Sequence, residues 1–209
     1  TSIVVDTGPD FRVQMLDNDI QSLDAVLYTH EHRDHTAGLD DIRPFYFKKG
    51  AAFDVYATKP VQQFLKDSFS YIFIEKKYPG VPELSLNTIV NQDFQVGSLK
   101  VKPIEVLHYK LPVLGFRFGD FTYITDANFI SEKEMEKIEG SKILVLNALR
   151  IDPHISHYNL DEAIQVASRV GAEKTYFTHI SHLLGRHDDI EKVLPDSIHL
   201  AYDGLGLSM

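Results

Sequence analysis

The sequence predicts an α/β fold, and three observations carry that reading. Short apolar runs such as Ala25-Val26-Leu27-Tyr28 and Ile143-Leu144-Val145-Leu146-Asn147-Ala148 read as buried strands. A stretch between such runs has helical period: Lys59 to Phe73 places apolar residues at Val61, Phe64, Leu65, Phe69, Ile72 and Phe73. Residue types that bind metals collect where the strands end. The densest case is Thr29-His30-Glu31-His32-Arg33-Asp34-His35, directly after the first of those runs. A strand that breaks there into a tight turn can aim His30, His32, Asp34 and His35 into one cavity. Imidazole with carboxylate suits zinc, manganese or iron rather than calcium.

Taken in order, Ser2 to Val5 is a short strand and Asp6-Thr7-Gly8-Pro9-Asp10 is turn chemistry. Asp6 is then either a turn-forming residue or a brace for the loop that follows. After the histidine motif, Thr36 to Phe45 reads as a short helix stopped before Pro44. Asp40, Asp41 and Arg43 form its charged surface. Phe53 to Ala57 is a strand, and Ile74 to Asn87, with Tyr78-Pro79-Gly80-Val81-Pro82, reads as an irregular loop or flap. Tyr71 and Tyr78 are weak candidates for a substrate wall there, with ordinary loop packing the favoured reading. Phe94 to Val96 and Leu99 to Leu107 form a hairpin through Gly97-Ser98, with His108 ending the second strand. Gly115 to Phe118 and Phe121 to Thr125 form another through Gly119-Asp120, with Asp126 at its end. Ser131 caps a helix to Glu139, with Glu134 positioned for a capping box. His154 to Ala163 leads into a helix ending near Val170. Lys174 to Thr178 is a strand ending at His179, with Ile180-Ser181-His182 beyond it. Ile198 to Gly204 is a last strand and turn.

The bulk numbers bound the function. The 209 residues suit a single domain spanning 1–209. With 21 Lys and Arg against 30 Asp and Glu, the formal charge is −9, which argues against extended nucleic acid as a partner. A small phosphorylated substrate stays allowed, because bound metal ions would set the local field. No apolar run approaches the roughly 18 residues of a membrane span, so no membrane partner is expected. The chain has no cysteine, which fits a reducing compartment and a cytoplasmic location.

The H-x-H-x-D-H motif resembles the signature of the metallo-β-lactamase superfamily, and the later motifs extend the resemblance over nearly the whole chain. It implies an αββα sandwich of two mixed sheets flanked by helices, with a two-metal hydrolytic site. Carried over residue by residue, it implies that His30, His32 and His108 hold one ion. Asp34, His35 and His179 would hold the other, with Asp126 bridging and Asp34 also serving catalysis. Asp6 becomes a carboxylate bracing the metal loops. The lactamase branch proper has Cys where this chain has Asp126, which moves the reading away from antibiotic hydrolysis. The absence of a long Gly-rich basic insertion weighs against tRNA.

The His157-x-Asn159-Leu160-Asp161-x-Ala163 stretch resembles the phosphodiesterase branches, where the histidine serves the leaving group. Thr178-His179-Ile180-Ser181-His182, Tyr202-Asp203-Gly204 and Gly38-Leu39 resemble the cyclic-phosphate phosphodiesterases related to the phosphonate-degradation enzyme and to tRNase Z. That branch implies a further structural zinc held by His182 with N-terminal cysteines, and further N-terminal strands before Thr1. The expected cofactors are two divalent ions, zinc or manganese, and that structural zinc. The expected function is a phosphodiesterase that uses metal-bound hydroxide on a small or cyclic phosphodiester, with His157 as general acid. A thioesterase or lactonase of the same fold is the alternative within the enzymes. A non-catalytic metal-binding scaffold is the alternative outside them, and a homodimer is compatible with either.

Overall fold

A computed structural model describes residues 1–208. The chain forms two compact units, the first from residues 1–90 and 95–99, the second from the rest.

The first unit runs β1 (Ile3–Val5), α1 (Phe11–Asp17), β2 (Ala25–Leu27), α2 (Arg33–Thr36), a 3-10 turn (Leu39–Ile42), α3 (Arg43–Lys49), β3 (Phe53–Ala57), α4 (Lys59–Ser68), α5 (Ser70–Phe73) and β4 (Leu84–Thr88). The strands lie in the order β1-β2-β3-β4. All three pairings are parallel, as helical connections between successive strands require. Phe11, Val26, Tyr28, Leu39, Ile42, Phe53, Val55, Val61 and Leu65 form its core. β2 is buried throughout, which explains its unbroken apolar run.

Four local readings change here. Pro44 does not stop a helix; it sits in the first turn of α3, where a missing N–H breaks no helical bond. The helical stretch from Lys59 divides at Phe69, which leaves the helical region and separates α4 from α5. Part of the expected flap, Leu84 to Thr88, pairs with β3 as strand β4. α1 has no counterpart in the sequence reading; Phe11 is its one buried residue, too few to make a period.

The chain continues with β5 (Phe94–Val96), most of which falls in the first unit, and β6 (Leu99–His108), and the second unit then runs β7 (Leu111–Phe118), β8 (Phe121–Tyr123), β9 (Phe129–Ile130), α6 (Glu132–Ile138), β10 (Ile143–Asn147), α7 (Leu160–Val170), β11 (Lys174–Thr178), α8 (His187–Glu191) and β12 (Ile198–Leu200). Its sheet has the order β12-β11-β10-β8-β7-β6, with β9 also on β6 and the hairpin partner β5 at the edge. This sheet is mixed. The hairpin strands pair antiparallel, and β8, β10, β11 and β12 pair parallel. Ile104, Val113, Ile124, Leu144, Leu146, Ala163 and Phe177 are among its core residues. No described helix is long and apolar enough to cross a membrane.

The capping box expected at Ser131 is only half made. Ser131 Oγ accepts from the Glu134 N–H at 3.4 Å, but Glu134 does not reach back. Its buried carboxylate instead accepts from the Glu105 N–H on β6, from Asn91 and from Lys137, at 2.9, 2.9 and 2.8 Å. Glu134 is thus a strut between α6 and the sheet. Burial alone would raise its carboxyl, but the Lys137 ammonium, Asn91 and the Glu105 amide outweigh burial and hold it below its ordinary value. The reciprocal capping box is found instead at α7, between Asn159 and Glu162.

Glu134→Gln is expected to lower stability by about 1–3 kcal/mol, because it replaces a charge-assisted acceptor and leaves donors poorly paired. A depressed carboxyl stabilises the fold above its unfolded-state value and loses that contribution as pH falls through its folded value. Thermal melts of both proteins should therefore converge in acid. A gap that widens as pH falls would show that the carboxylate charge is not what α6 uses.

Candidate metal centre

In the first unit a cluster of metal-binding residue types is built from two parallel strand ends. Val5 on β1 is in register with Leu27 on β2, so the residues after each strand emerge together. Asp6 then takes φ 60°, a left-handed conformation that Asp tolerates better than most residues. Its carboxylate Oδ1 accepts from the Thr29 N–H at 2.8 Å. Oδ2 accepts from the Thr29 hydroxyl at 2.8 Å and from His35 Nδ1 at 2.7 Å. Because the Thr29 proton is committed to Asp6, the Thr29 oxygen is left to accept from His30 Nδ1 at 2.9 Å. One buried carboxylate therefore orients two imidazoles, one directly and one through a hydroxyl. In each ring the Nδ1 carries the proton and the Nε2 carries the lone pair a metal needs. Burial pushes the Asp6 carboxyl up, and the bonds from His35 and Thr29 pull it back toward the charged form.

The rest of the loop is a single helical turn, not the expected tight turn. His32 stands at the N-cap of α2, and the Thr36 hydroxyl donates to its carbonyl at 3.0 Å. The ring of His30 lies 4.6 Å from that of His32 and 4.3 Å from that of His35. An Asp34 carboxylate oxygen is 3.4 Å from His35 Nε2, and its side chain is 59% exposed. The loop is pressed onto the Asp6-Thr7-Gly8 turn: the Thr7 N–H donates to the His35 carbonyl at 2.7 Å, and the Gly38 N–H to the Thr7 carbonyl at 2.8 Å. A Cβ on Gly38 would lie 2.3 Å from the Gly8 carbonyl oxygen, so only glycine lets the two turns approach this closely.

In the second unit His108, Asp126, His157 and His179 come together. His108 ends β6, and its Nδ1 donates to the Ser156 carbonyl at 2.8 Å, which again leaves Nε2 as the ligand atom. Asp126 lies three residues beyond β8, buried, with φ 56°. The buried Asn147 side chain holds the next residue from both sides. It accepts from the Ala127 N–H at 2.7 Å and donates to the Ala127 carbonyl at 3.0 Å. Asp126 Oδ2 accepts from the Thr125 hydroxyl at 2.6 Å. Its Oδ1 is 3.0 Å from His157 Nε2 and 3.3 Å from His179 Nε2. His179 follows β11 directly, with φ 55°, and its ring stacks on His157 at 5.1 Å.

His157 is 9% exposed and lies ahead of α7, whose cap is Asn159. His182 is exposed, and no ligand-type cluster among the described residues includes it. Tyr71 is engaged elsewhere: its phenol donates to Asp40, which also pairs with Arg43 at 2.8 Å. Tyr78 is exposed.

Thr29, Asn147 and His154 were not singled out from the sequence. His154 Nδ1 lies 3.1 Å from His157 Nδ1. Burial, with His157, Arg150 and His108 nearby, holds His154 below its ordinary value. The only sequence signal for Thr29 and Asn147 was that each stands at the end of an apolar run.

Asp6→Asn puts an amide where Oδ2 accepts from two donors. It should weaken zinc or manganese binding about 10- to 100-fold, the usual cost of losing a group that orients a metal-binding imidazole. Chelator competition measures this, and unchanged affinity would mean that the His30 and His35 tautomers do not depend on Asp6.

The family model of the beta-lactamase superfamily domain matches residues 1–180. A solved diphosphatase of the PhnP family is 38% identical, with a TM-score of 0.91 over 99% of this chain and 79% of that one. Human tRNase Z, short form, has the same fold at 16% identity, with a TM-score of 0.72 over 98% of this chain and 86% of that one. A protein of Porphyromonas gingivalis (strain ATCC BAA-308 / W83) named octanoyltransferase is 38% identical over 205 residues. That match takes in 97% of this chain but 41% of the relative's length. With two helix-flanked sheets, and histidines and aspartates set just past the strand ends, the chain belongs to the metallo-β-lactamase superfamily.

Proposed function

We propose that this protein is a hydrolase of that superfamily, specifically a dinuclear metal-dependent phosphodiesterase acting on a small or cyclic phosphodiester. The observation that carries the reading is the orientation of the imidazoles. His30, His35 and His108 each have Nδ1 engaged by an acceptor, so each offers Nε2. Such a set fits zinc or manganese. In the family register His30, His32 and His108 would hold one ion and Asp34, His35 and His179 the other, with Asp126 shared. Two divalent ions bound there would polarise a phosphoryl group and acidify water.

The chain's own groups supply the proton traffic. Asp34 is the exposed carboxylate of the first unit's loop, suited to orient incoming water. The Asp126 carboxylate can only accept, so His157 Nε2, 3.0 Å away, is the nitrogen that donates to it. A proton held there is placed to pass to a departing alkoxide. The relative named as a diphosphatase supports phosphorus as the reacting centre. The relative named octanoyltransferase favours a second reading, attack on an acyl ester by a thioesterase or lactonase. That name belongs to a protein of which this chain spans 41%.

Protein purified without chelator is expected to hold two metal equivalents per chain by elemental analysis. Asp126→Ala should lose more metal than His32→Ala, since it would release a ligand shared by both ions. One equivalent or fewer after supplementation with zinc and manganese would count against the paired site.

His157→Ala is expected to keep its metal and to lose about 10²–10⁴-fold in kcat/KM on an alkyl or cyclic phosphodiester. The loss should be far smaller on a p-nitrophenyl ester, whose leaving group scarcely needs a proton. Equal losses on both, or loss of metal, would rule out the acid role. Lactones and thioesters assayed alongside decide between the two readings. Absence of turnover on every ester, with metal bound, would leave a metal-binding scaffold.

A further inference from the structure

We infer that the loop beside His108 is a stacking subsite for a flat aromatic group of the substrate, a nucleobase in the first instance, with Tyr109 as its platform. The inference rests on the phosphodiesterase reading and adds a substrate class to it.

The geometry begins with a two-residue hairpin loop. His108 on β6 is in register with Leu111 on β7, so Tyr109 and Lys110 alone make the connection. The first of the two, Tyr109, has φ 57°. A positive φ at the first position of such a loop is the place that glycine normally takes. A bulky aromatic in that conformation is an outlier that local sterics oppose, and its surroundings must hold it there. They do: the Tyr109 N–H donates to Asn128 Oδ1 at 2.7 Å. Asn128 is itself anchored, its N–H donating to the Leu107 carbonyl at 2.8 Å and its amide to the Ile155 carbonyl at 3.3 Å.

This arrangement does not serve the core. The Tyr109 side chain is 50% exposed, so the strain is not offset by burial. Two residues linked to Asn128 also carry exposed large apolar side chains: Phe129, next in the chain, at 52%, and Ile155, whose carbonyl accepts from the Asn128 amide, at 68%. Phe129 is in register with Leu107, one residue before His108. Ile155 precedes Ser156, whose carbonyl orients His108. The exposed group is therefore tied by main chain to a metal-ligand histidine and to His157. Lys110 Nζ lies 5.2 Å from the centre of the Tyr109 ring, a cation beside a π face. An open aromatic face with a neighbouring cation matches a nucleobase attached to a phosphate better than an alkyl chain, which favours an enclosed apolar channel.

The test uses the full chain loaded with zinc or manganese, and measures binding of adenosine 5′-monophosphate, ribose 5-phosphate and octyl phosphate by calorimetry. The wild type should bind the adenine compound more tightly than ribose 5-phosphate. Tyr109→Gly should weaken the adenine compound about 5- to 100-fold, the range for a lost base–aromatic stack, and reduce its advantage over ribose 5-phosphate accordingly. Tyr109→Phe should restore it. The glycine variant should also melt no lower than wild type, because glycine adopts the positive φ without strain. A lower melting temperature with unchanged adenine preference would make Tyr109 structural and overturn the inference. So would equal wild-type affinity for the adenine compound and ribose 5-phosphate, or a glycine variant that loses octyl phosphate instead. If none of the three phosphates binds, the phosphodiesterase reading fails and the subsite fails with it.

Discussion

The histidine cluster of the first unit depends on the Asp6 carboxylate. It is buried among three donors, from the Thr29 amide, the Thr29 hydroxyl and His35 Nδ1. A buried carboxylate without those donors would be expelled or neutralised, and each donor buried without Asp6 would be unsatisfied. The pairing is therefore mutual. Its consequence reaches beyond stability, because the same bonds decide which nitrogen of His30 and His35 carries a proton. The orientation and tautomer of both imidazoles are set by a residue that need never touch a metal.

The second unit solves the same problem with amides instead of a carboxylate relay. Asn147 grips both polar groups of the Ala127 backbone, and this holds the chain at the sharp bend where Asp126 is exposed to its histidine neighbours. Asp6, Asp126 and His179 share one feature: each lies past the end of a strand that pairs parallel, with φ between 55° and 60°. A chain leaving such a strand must turn at once to clear its neighbour, and one left-handed residue does so. The strain, of order 1–3 kcal/mol per residue, is held by the packed strands behind it. The cost and the function sit at the same positions.

Much of this clustering is legible in the sequence, for identifiable reasons. The histidine motif and the later histidines and aspartates at strand ends are local patterns: a residue type at a fixed spacing after an apolar run. β2 and β10 were legible because buried parallel strands are nearly continuous apolar segments. Pro44 was misread because proline is compatible with either the stop or the first turn of a helix, and only packing chooses. Leu84 to Thr88 was read as loop because its alternation is weak and its strand character comes from pairing with β3. Glu134 had the spacing of a capping box but found stronger partners on β6, which no local rule could reveal.

The sequence by itself determined which chemistry is available: a set of imidazoles and carboxylates, no thiols, an acidic chain and short strands to carry the ligands to their ends. Tertiary structure alone decided the roles. Thr29 became a relay because β1 and β2 pair in one register and bring Asp6 to it. His157 was drawn in beside Asp126, thirty-one residues away in the chain. Tyr109 was held in a glycine conformation by a side chain nineteen residues away. The physical reason is the same in each case: residue type sets what a group can do, but proton position, burial and strain depend on neighbours distant in the chain.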